Sequence, residues 1–225
     1  KMNKSEIIKN LILLEDTSRL EAVMLSRTKT SKITDDCATE LANIFQKYFD
    51  LIVKNKMSIV SARNQFGQEL ADHTKSCIQK AYFAGMDYVS ASTKKPVAIS
   101  VKDVNYIEDL TIKTVNAFFD KVYAIPIKTE FISLPMLFSW IQGIPQTAVY
   151  SALNQATVSA FQDLNDTSQI DNGQLIFITR DDPKVCEICY PLHQKIYQPY
   201  DEKPRLPIHP RCRCRLLVYD PLINY

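Results

Sequence analysis

The residues with the clearest chemistry lie near the C-terminal end of the chain, in the stretch CEICYPLHQKIYQPYDEKPRLPIHPRCRC. This stretch holds four of the six cysteines and two of the three histidines. Cys186 and Cys189 are separated by two residues, and His209 and Cys212 repeat this spacing further along. Donors three positions apart lie on the same side of a tight turn. Two such pairs, joined by a loop, predict a tetrahedral shell of sulfur and nitrogen ligands suited to zinc.

The spacing identifies three metal ligands and leaves the fourth open between two cysteines. The predicted ligands are Cys186, Cys189 and His209, together with either Cys212 or Cys214. The His-x-x-Cys spacing favours Cys212, whereas Cys214 suits a wider hairpin. His193 is the spare donor: it orients a ligand from outside the shell or packs beside it, or, as a less favoured alternative, it is itself a ligand.

Three other chemistries fit these cysteines less well. A thioredoxin-type redox pair needs a strand before the CxxC and a helix after it, but here a proline and a β-run follow. Disulfides need an oxidising compartment. A catalytic zinc needs an open coordination position and a general base, and Glu187 does not stand in the His-x-Glu arrangement of zinc deaminases. A structural zinc is predicted, because a module of about fifty residues has too little core to fold unaided.

Basic residues surround the predicted ligands. Residues 203–215 contain Lys203 and four arginines and no acidic residue. The candidate contacts for nucleic-acid phosphates are Arg205, Arg211, Arg213 and Arg215. On an extended hairpin, the last three would point away from the metal on one face. An equally weighted alternative is that they neutralise a zinc–thiolate centre or form an ordinary solvated surface.

Composition predicts a mainly helical globular chain. The hydrophobic fraction is 46% and only four glycines occur, which excludes a Gly-rich phosphate loop and argues against a Rossmann-like fold. The net charge of +2 carries no information about nucleic acid. The N-terminal apolar run is interrupted by charges and does not predict a signal peptide. The stretch FISLPMLFSWIQGIP is too short and too broken by proline to span a membrane, so a soluble intracellular protein is expected.

The first half of the chain predicts helices. Residues 4–26 form a first helix, and SRTKTSKITDD (26–36) is expected to be a polar linker. Apolar residues at three- and four-residue steps predict a helix from Asp36, and then a continuous apolar seam from Ala62 to Tyr88. The helix that carries this seam is long enough to project beyond a compact core, where the seam would present an apolar surface to partner proteins. Cys77 and His73, which share the seam, are assigned to packing.

The second half changes character near residue 165. A helix is predicted from Asp103, residues 123–136 form an irregular connection, and a helix with small residues follows Pro145 and contacts another helix closely. QLIFITR, KIYQPY and CRLLVYD are short strand candidates. The predicted fold is mainly α: an elongated helical body followed by a small β-rich zinc module (α+β overall). Its predicted parts are an arm with linker (1–32), a body (33–165) and a module (174–225).

The module resembles a known family. TRDDPKVCEIC, PLHQKIY and LPIHPRCRC, in this order, are similar to the C-terminal motifs of the phage Mu F-type minor head proteins, or head morphogenesis proteins. The resemblance covers about fifty residues. Gln194 stands where the family usually has glycine, so its turn is expected to manage without a free left-handed position. The helix ahead of the module lacks the family's Arg-Thr-Glu motif.

The resemblance implies a minor structural protein of a tailed phage or provirus. Such proteins attach to the portal or inner capsid in few copies and assist head assembly, DNA packaging or DNA ejection. The expected cofactor is structural Zn²⁺, and the expected partners are the portal protein, the major capsid protein, or both, with double-stranded DNA as a further candidate. The expected location is the virion, at the capsid interior or portal vertex, and the host cytoplasm during assembly. No enzymatic activity, membrane or small-molecule substrate is expected. The alternatives are a zinc-module nucleic-acid-binding protein and a zinc-dependent hydrolase or deaminase.

Overall fold

The computed structural model describes the backbone of residues 4–124, 134–170, 173–180 and 186–221. Four helices come first along the chain, and three short strands follow. The helices are α1 (Lys4–Lys54), α2 (Ile59–Thr93), α3 (Val101–Tyr123) and α4 (Leu134–Asp166), and the strands are β1 (Leu175–Ile178), β2 (Ile196–Tyr197) and β3 (Arg215–Val218). This order confirms the predicted mainly helical fold with a small C-terminal sheet. None of the helices in the described ranges is long and apolar enough to cross a membrane.

The predicted linker at 26–36 is wrong, because α1 runs through it without a break. Two threonines in this stretch, Thr30 and Thr34, are buried rather than solvated. Each hydroxyl donates to the carbonyl one turn earlier, at 2.7 Å in both cases. A polar side chain whose hydroxyl is hydrogen-bonded within its own helix can be buried at a helix–helix contact. The polar composition of this stretch therefore did not indicate a linker.

The apolar seam of α2 is helical as predicted, but it is buried in the bundle and does not project to partners. Its buried members include Phe66, Leu70, Cys77, Ala81 and Tyr88. His73 is not among them: it is exposed, with its Nε2 atom 3.9 Å from Glu69, and Thr74 faces the core instead. The packing assignment is thus confirmed for Cys77 and wrong for His73.

The small residues of α4 bring it close to α2, as the sequence predicted. A Cβ atom on Gly85 would lie 2.7 Å from the carbonyl oxygen of Leu153 and 2.8 Å from the Cβ of Ala156. The helix begins earlier than expected, at Leu134, and contains Pro145 within its length. Of the predicted irregular connection, residues 134–136 therefore belong to the helix, and 125–133 lie outside the described residues.

A buried carboxylate fixes the start of α3 against its neighbours. Ser100 and Asp103 form a capping box, in which the Ser100 backbone N–H donates to Asp103 Oδ2 at 2.7 Å. The Asp103 Oδ1 atom accepts from Tyr82 on α2 at 2.5 Å and from Ser159 on α4 at 3.0 Å. The hydrogen bonds satisfy the charge where burial alone would make it costly.

The three predicted strands form one antiparallel sheet in the order β2-β1-β3. Leu175 is paired with Tyr197 on one side and with Val218 on the other. All four residues of β1 are buried, and Phe177 and Leu216 belong to the same continuous core as the helices. The sheet therefore packs on the helical bundle and does not form a separate hydrophobic unit.

An ion pair with a third partner attaches the end of β1 to α1. Arg180 donates from both terminal nitrogens to the Asp35 carboxylate, at 2.9 and 2.8 Å. Tyr150 of α4 donates to the same carboxylate at 2.7 Å. Burial opposes ionisation of Asp35, but these hydrogen bonds and the Arg180 charge outweigh it and hold the pKa of Asp35 below its usual value.

We expect Gly85→Ala to destabilise the protein by about 1–3 kcal/mol, because the new methyl group would clash with the α4 backbone. Urea unfolding curves measure the change. Gly67→Ala is the matched control on the same helix, since nothing lies within 4 Å of its added Cβ atom. This control should stabilise the protein by about 0.5–1 kcal/mol through helix propensity. Equal effects at the two positions would contradict the close α2–α4 contact.

We expect Asp35→Asn to lower stability at pH 7 by on the order of 1 kcal/mol, since the lost ion pair is partly exposed. Because the folded pKa of Asp35 is lowered, its contribution is full above the unfolded pKa and disappears as pH falls through the folded pKa. Denaturation curves of both proteins should therefore converge in acid. Asp36→Asn, at the exposed neighbouring position, is the control and should follow the wild type at every pH.

Candidate metal centre

The first cysteine pair lies on a tight turn that follows the end of β1. The backbone N–H groups of Cys189 and Tyr190 both donate to the Cys186 carbonyl, at 3.1 and 3.0 Å. The Cys189 N–H also lies 3.4 Å from the Cys186 sulfur. A 3₁₀ turn, Tyr190–Leu192, continues the chain. These hydrogen bonds turn both thiols to the same side, as the CxxC spacing predicted.

The second pair lies on a four-residue turn closed by a hydrogen bond from the Cys212 N–H to the His209 carbonyl at 3.0 Å. Pro210 occupies the second position, and Arg211 at the third has a φ of 65°, the left-handed value that such a turn requires. His209 Nδ1 lies 2.9 Å from the Pro210 carbonyl oxygen and donates to it. This bond leaves the Nε2 lone pair free to face the thiols.

The two turns bring their donor atoms into direct contact. His209 Nε2 lies 3.0 Å from the sulfur of Cys186 and 3.2 Å from that of Cys189. The Cys189 sulfur lies 3.8 Å from that of Cys212. Around a tetrahedral zinc with Zn–S bonds of about 2.3 Å, ligand atoms stand roughly 3.5–3.8 Å apart. The cluster therefore has the donor types and nearly the spacing to hold a metal ion.

The five candidate donors form two overlapping triplets. One triplet is Cys186, Cys189 and His209, and the other is Cys189, Cys212 and Cys214. Within each triplet, all ligand atoms lie within 4.8 Å of one another. Cys189 belongs to both triplets and is 1% exposed, so it lies at the centre of the cluster.

The pKa values of Cys212 and Cys214 are shifted in opposite directions. A hydrogen bond with the Cys214 thiol is the largest influence on Cys212 and, with backbone donors, lowers its pKa to about 5 against the opposing effect of burial. The same hydrogen bond, together with burial, raises the pKa of Cys214. This contact thus favours the deprotonated form of Cys212 and the protonated form of Cys214.

The pKa values of Cys186 and Cys189 are likewise shifted in opposite directions. Burial and the hydrogen bond with Cys186 raise the pKa of Cys189 to about 12. For Cys186, burial is outweighed by hydrogen bonds from Cys189 and from backbone N–H groups, which lower its pKa. For His209, burial is outweighed by the Pro210 carbonyl and the charges of Cys212 and Cys186, which raise its pKa. Each turn thus contains one cysteine whose deprotonated form, the form that binds metals, is favoured by its surroundings.

His193 lies outside both donor triplets. Its Nδ1 atom accepts from the Thr179 backbone N–H at 3.2 Å and lies 2.8 Å from the Thr179 hydroxyl. The imidazole thus fixes the loop after the first pair to the end of β1 and has a structural role. The adjacent Gln194 has a φ of 62°, so this turn adopts the left-handed conformation without glycine. A 2.7 Å hydrogen bond from the Gln194 N–H to Phe177 helps to hold it there.

The expectation that three arginines share an exposed face is wrong. Arg215 is only 9% exposed; its Nη1 donates to Ser31 on α1 at 2.6 Å, and its guanidinium lies 5.9 Å from the Tyr88 ring centre. Arg211 folds back on α4, where it donates to the carbonyl and hydroxyl oxygens of Ser139. Arg213 is half-buried and Arg205 is exposed. Because β3 packs against the bundle, the face of the strand that was expected to point to solvent lies against the helices. Arg215 is therefore turned inward.

Two residues that position the site were missed in the sequence. Asn154 of α4 donates to the Cys214 carbonyl at 3.1 Å and accepts from the Leu216 N–H at 2.9 Å. Asp35 of α1 holds Arg180, as described above. Asn154 lies within the predicted small-residue face of α4, and an amide among alanines was the signal that could have identified it.

Comparisons with known proteins give no match. No family model matches the chain, and no curated protein and no solved structure matches it either. The resemblance of the cysteine module to the Mu F-type minor head proteins therefore stays a prediction from the sequence.

Proposed function

We propose that the cluster binds one structural zinc ion through Cys186, Cys189, His209 and Cys212. The contact of the Cys189 sulfur with both His209 Nε2 and the Cys212 sulfur carries this proposal, because it joins the two turns at one point. Three sulfurs and one imidazole nitrogen are a donor set of structural zinc sites, and the two triplets, which share Cys189, would close into such a shell around one ion. Cys214 then lies beside this shell, in the second triplet, as the alternative fourth ligand.

A structural role fits better than a catalytic one. Four protein ligands leave no open position for water or substrate, which a catalytic zinc requires. Glu187, the only acidic residue between the first two ligands, is exposed on the turn. The sheet is anchored in the core of the bundle, so the metal would chiefly join the two cysteine turns outside its ten strand residues.

We expect about one zinc per chain in elemental analysis of the purified protein. Cys189→Ser should lose the metal and the protease resistance of the module, because this sulfur contacts both turns and binding energy here is folding energy. Cys37→Ser and Cys77→Ser are matched controls, since both residues are buried cysteines outside the cluster. Cys214→Ser should retain zinc, and metal loss in this variant with retention in Cys212→Ser would reverse the choice of fourth ligand.

We further propose that the protein is a minor head protein of a tailed phage or provirus, attached to the portal or inner capsid. The support is the resemblance of the module motifs given above, together with a module that packs on a helical bundle and is held to it by polar contacts. This arrangement suits a structural protein that is rigid within an assembly better than an enzyme. Its role would be in head assembly, DNA packaging or DNA ejection.

The nucleic-acid alternative is weakened by the placement of the arginines. Of the four candidate phosphate contacts, Arg215 is buried and Arg211 is engaged with α4. Of the other two candidates, Arg205 is exposed and Arg213 is half-buried. Two residues could neutralise only a few phosphates. Double-stranded DNA is thus kept as a secondary partner of the proposed virion protein.

The virion proposal predicts association with a portal. When the tagged chain is purified from cells producing its phage, electron microscopy should show ring-shaped particles and mass spectrometry should identify portal protein in them. The Cys189→Ser variant should recover fewer rings, because the module is expected to need its metal. Recovery of the intact chain with zinc bound but with no portal or capsid protein would contradict the virion role and leave the zinc assignment standing.

A further inference from the structure

A groove of about 590 Å³ lies between α3 and α4, apart from the metal ligands. Residues of α3 from Leu110 to Lys121 form one side, and residues of α4 from Ser139 to Ser151 form the other. At 1.5 Å per residue, these segments are about 16–18 Å long, which is three helical turns. The volume falls within the range of roughly 300–1,000 Å³ that is usual for binding sites.

The groove is apolar and its floor is made of small residues. Ala117 and Ala148 are small lining residues and Leu110 adds apolar surface, whereas Gly143 lies beneath the Arg211 side chain. Trp140, the only tryptophan of the chain, lines the groove and is 40% exposed. Tryptophan is over-represented among residues that dominate binding energy. Here the Lys121 Nζ atom of α3 lies 5.1 Å from the centre of the Trp140 ring.

Positive charges surround this apolar floor. Lys113 and Lys121 lie on the α3 side, and Arg211 crosses Gly143 from the opposite side, with its Nε atom 3.2 Å from where a Gly143 Cβ would be. The described lining residues include no aspartate or glutamate. Lys113 is paired with Asp109, but that pair is exposed and weak. The two lysines are eight positions apart, which places them about 12 Å from each other along the helix.

We propose that this groove binds an acidic amphipathic helix of a partner protein. Three turns of length and a small-residue floor fit the apolar stripe of a helix laid between α3 and α4. The two lysines, about two helical turns apart, match carboxylates seven or eight positions apart on that helix. Arg211, which donates to Ser139, adds positive charge on the opposite side of the groove. This inference rests neither on the zinc proposal nor on the virion proposal.

The probe is a synthetic amphipathic peptide with leucines at positions i, i+3, i+4 and i+7 and glutamates two turns apart. Titration should change Trp140 fluorescence to saturation, since that side chain lies in the groove. Lys113→Glu/Lys121→Glu should weaken binding about ten-fold or more. Lys95→Glu/Lys102→Glu changes the net charge equally at exposed positions outside the groove, and it should bind like the wild type.

A second variant tests the groove without changing charge. Ala117→Leu should fill the floor and abolish the fluorescence change while leaving the melting temperature near that of the wild type. Equal binding of a peptide with lysine in place of glutamate would overturn the proposal, as would unchanged binding to Ala117→Leu. A concentration-dependent fluorescence change without peptide would also overturn it, in favour of a second copy of the chain. Zinc content measured on the same samples separates these results from the metal assignment.

Discussion

The side-chain amide of Asn154 bonds to two backbone groups of the chain around β3, the carbonyl of Cys214 and the N–H of Leu216. Both groups are buried against α4, where water cannot replace a missing partner and an unsatisfied group would cost about 1–3 kcal/mol. The path of the chain at this point fixes Cys212 on one side and Arg215 on the other. The geometry of the second cysteine turn and the docking of the sheet therefore both depend on one amide.

Polar contacts, rather than apolar area alone, determine where the module sits on the bundle. Asp35 receives hydrogen bonds from β1 and α4 while lying on α1, and Arg215 reaches from β3 to Ser31 on the same helix. Apolar packing would tolerate a range of orientations, whereas these bonds require one. The helices thus restrain the position of the sheet and of the turns that carry the metal ligands.

The local features of the chain could be read from the sequence, and the features that depend on distant partners could not. The strands and the cysteine pairs follow from short-range spacing, and the small face of α4 follows from helical periodicity. Thr30 and Thr34 looked like linker residues because their burial depends on α2, far along the chain. Arg215 was assigned to the surface because arginine usually is, and only the packing of β3 on the bundle turns it inward. His73 lies at a helical step consistent with the seam, and its exposure depends on how far α1 and α3 wrap around α2.

The buried guanidinium of Arg215 also restricts how the sheet can assemble. Successive side chains of a strand point to opposite faces, so a slip of β3 by one position along β1 would exchange the sides of Arg215 and Leu216. The guanidinium would then lose its hydrogen bond to Ser31 and its contact with the Tyr88 ring, and an apolar side chain would take its place. A four-residue strand has little pairing energy with which to reject such misalignments. One buried charge makes the wrong pairing costly, so Arg215 contributes to folding accuracy.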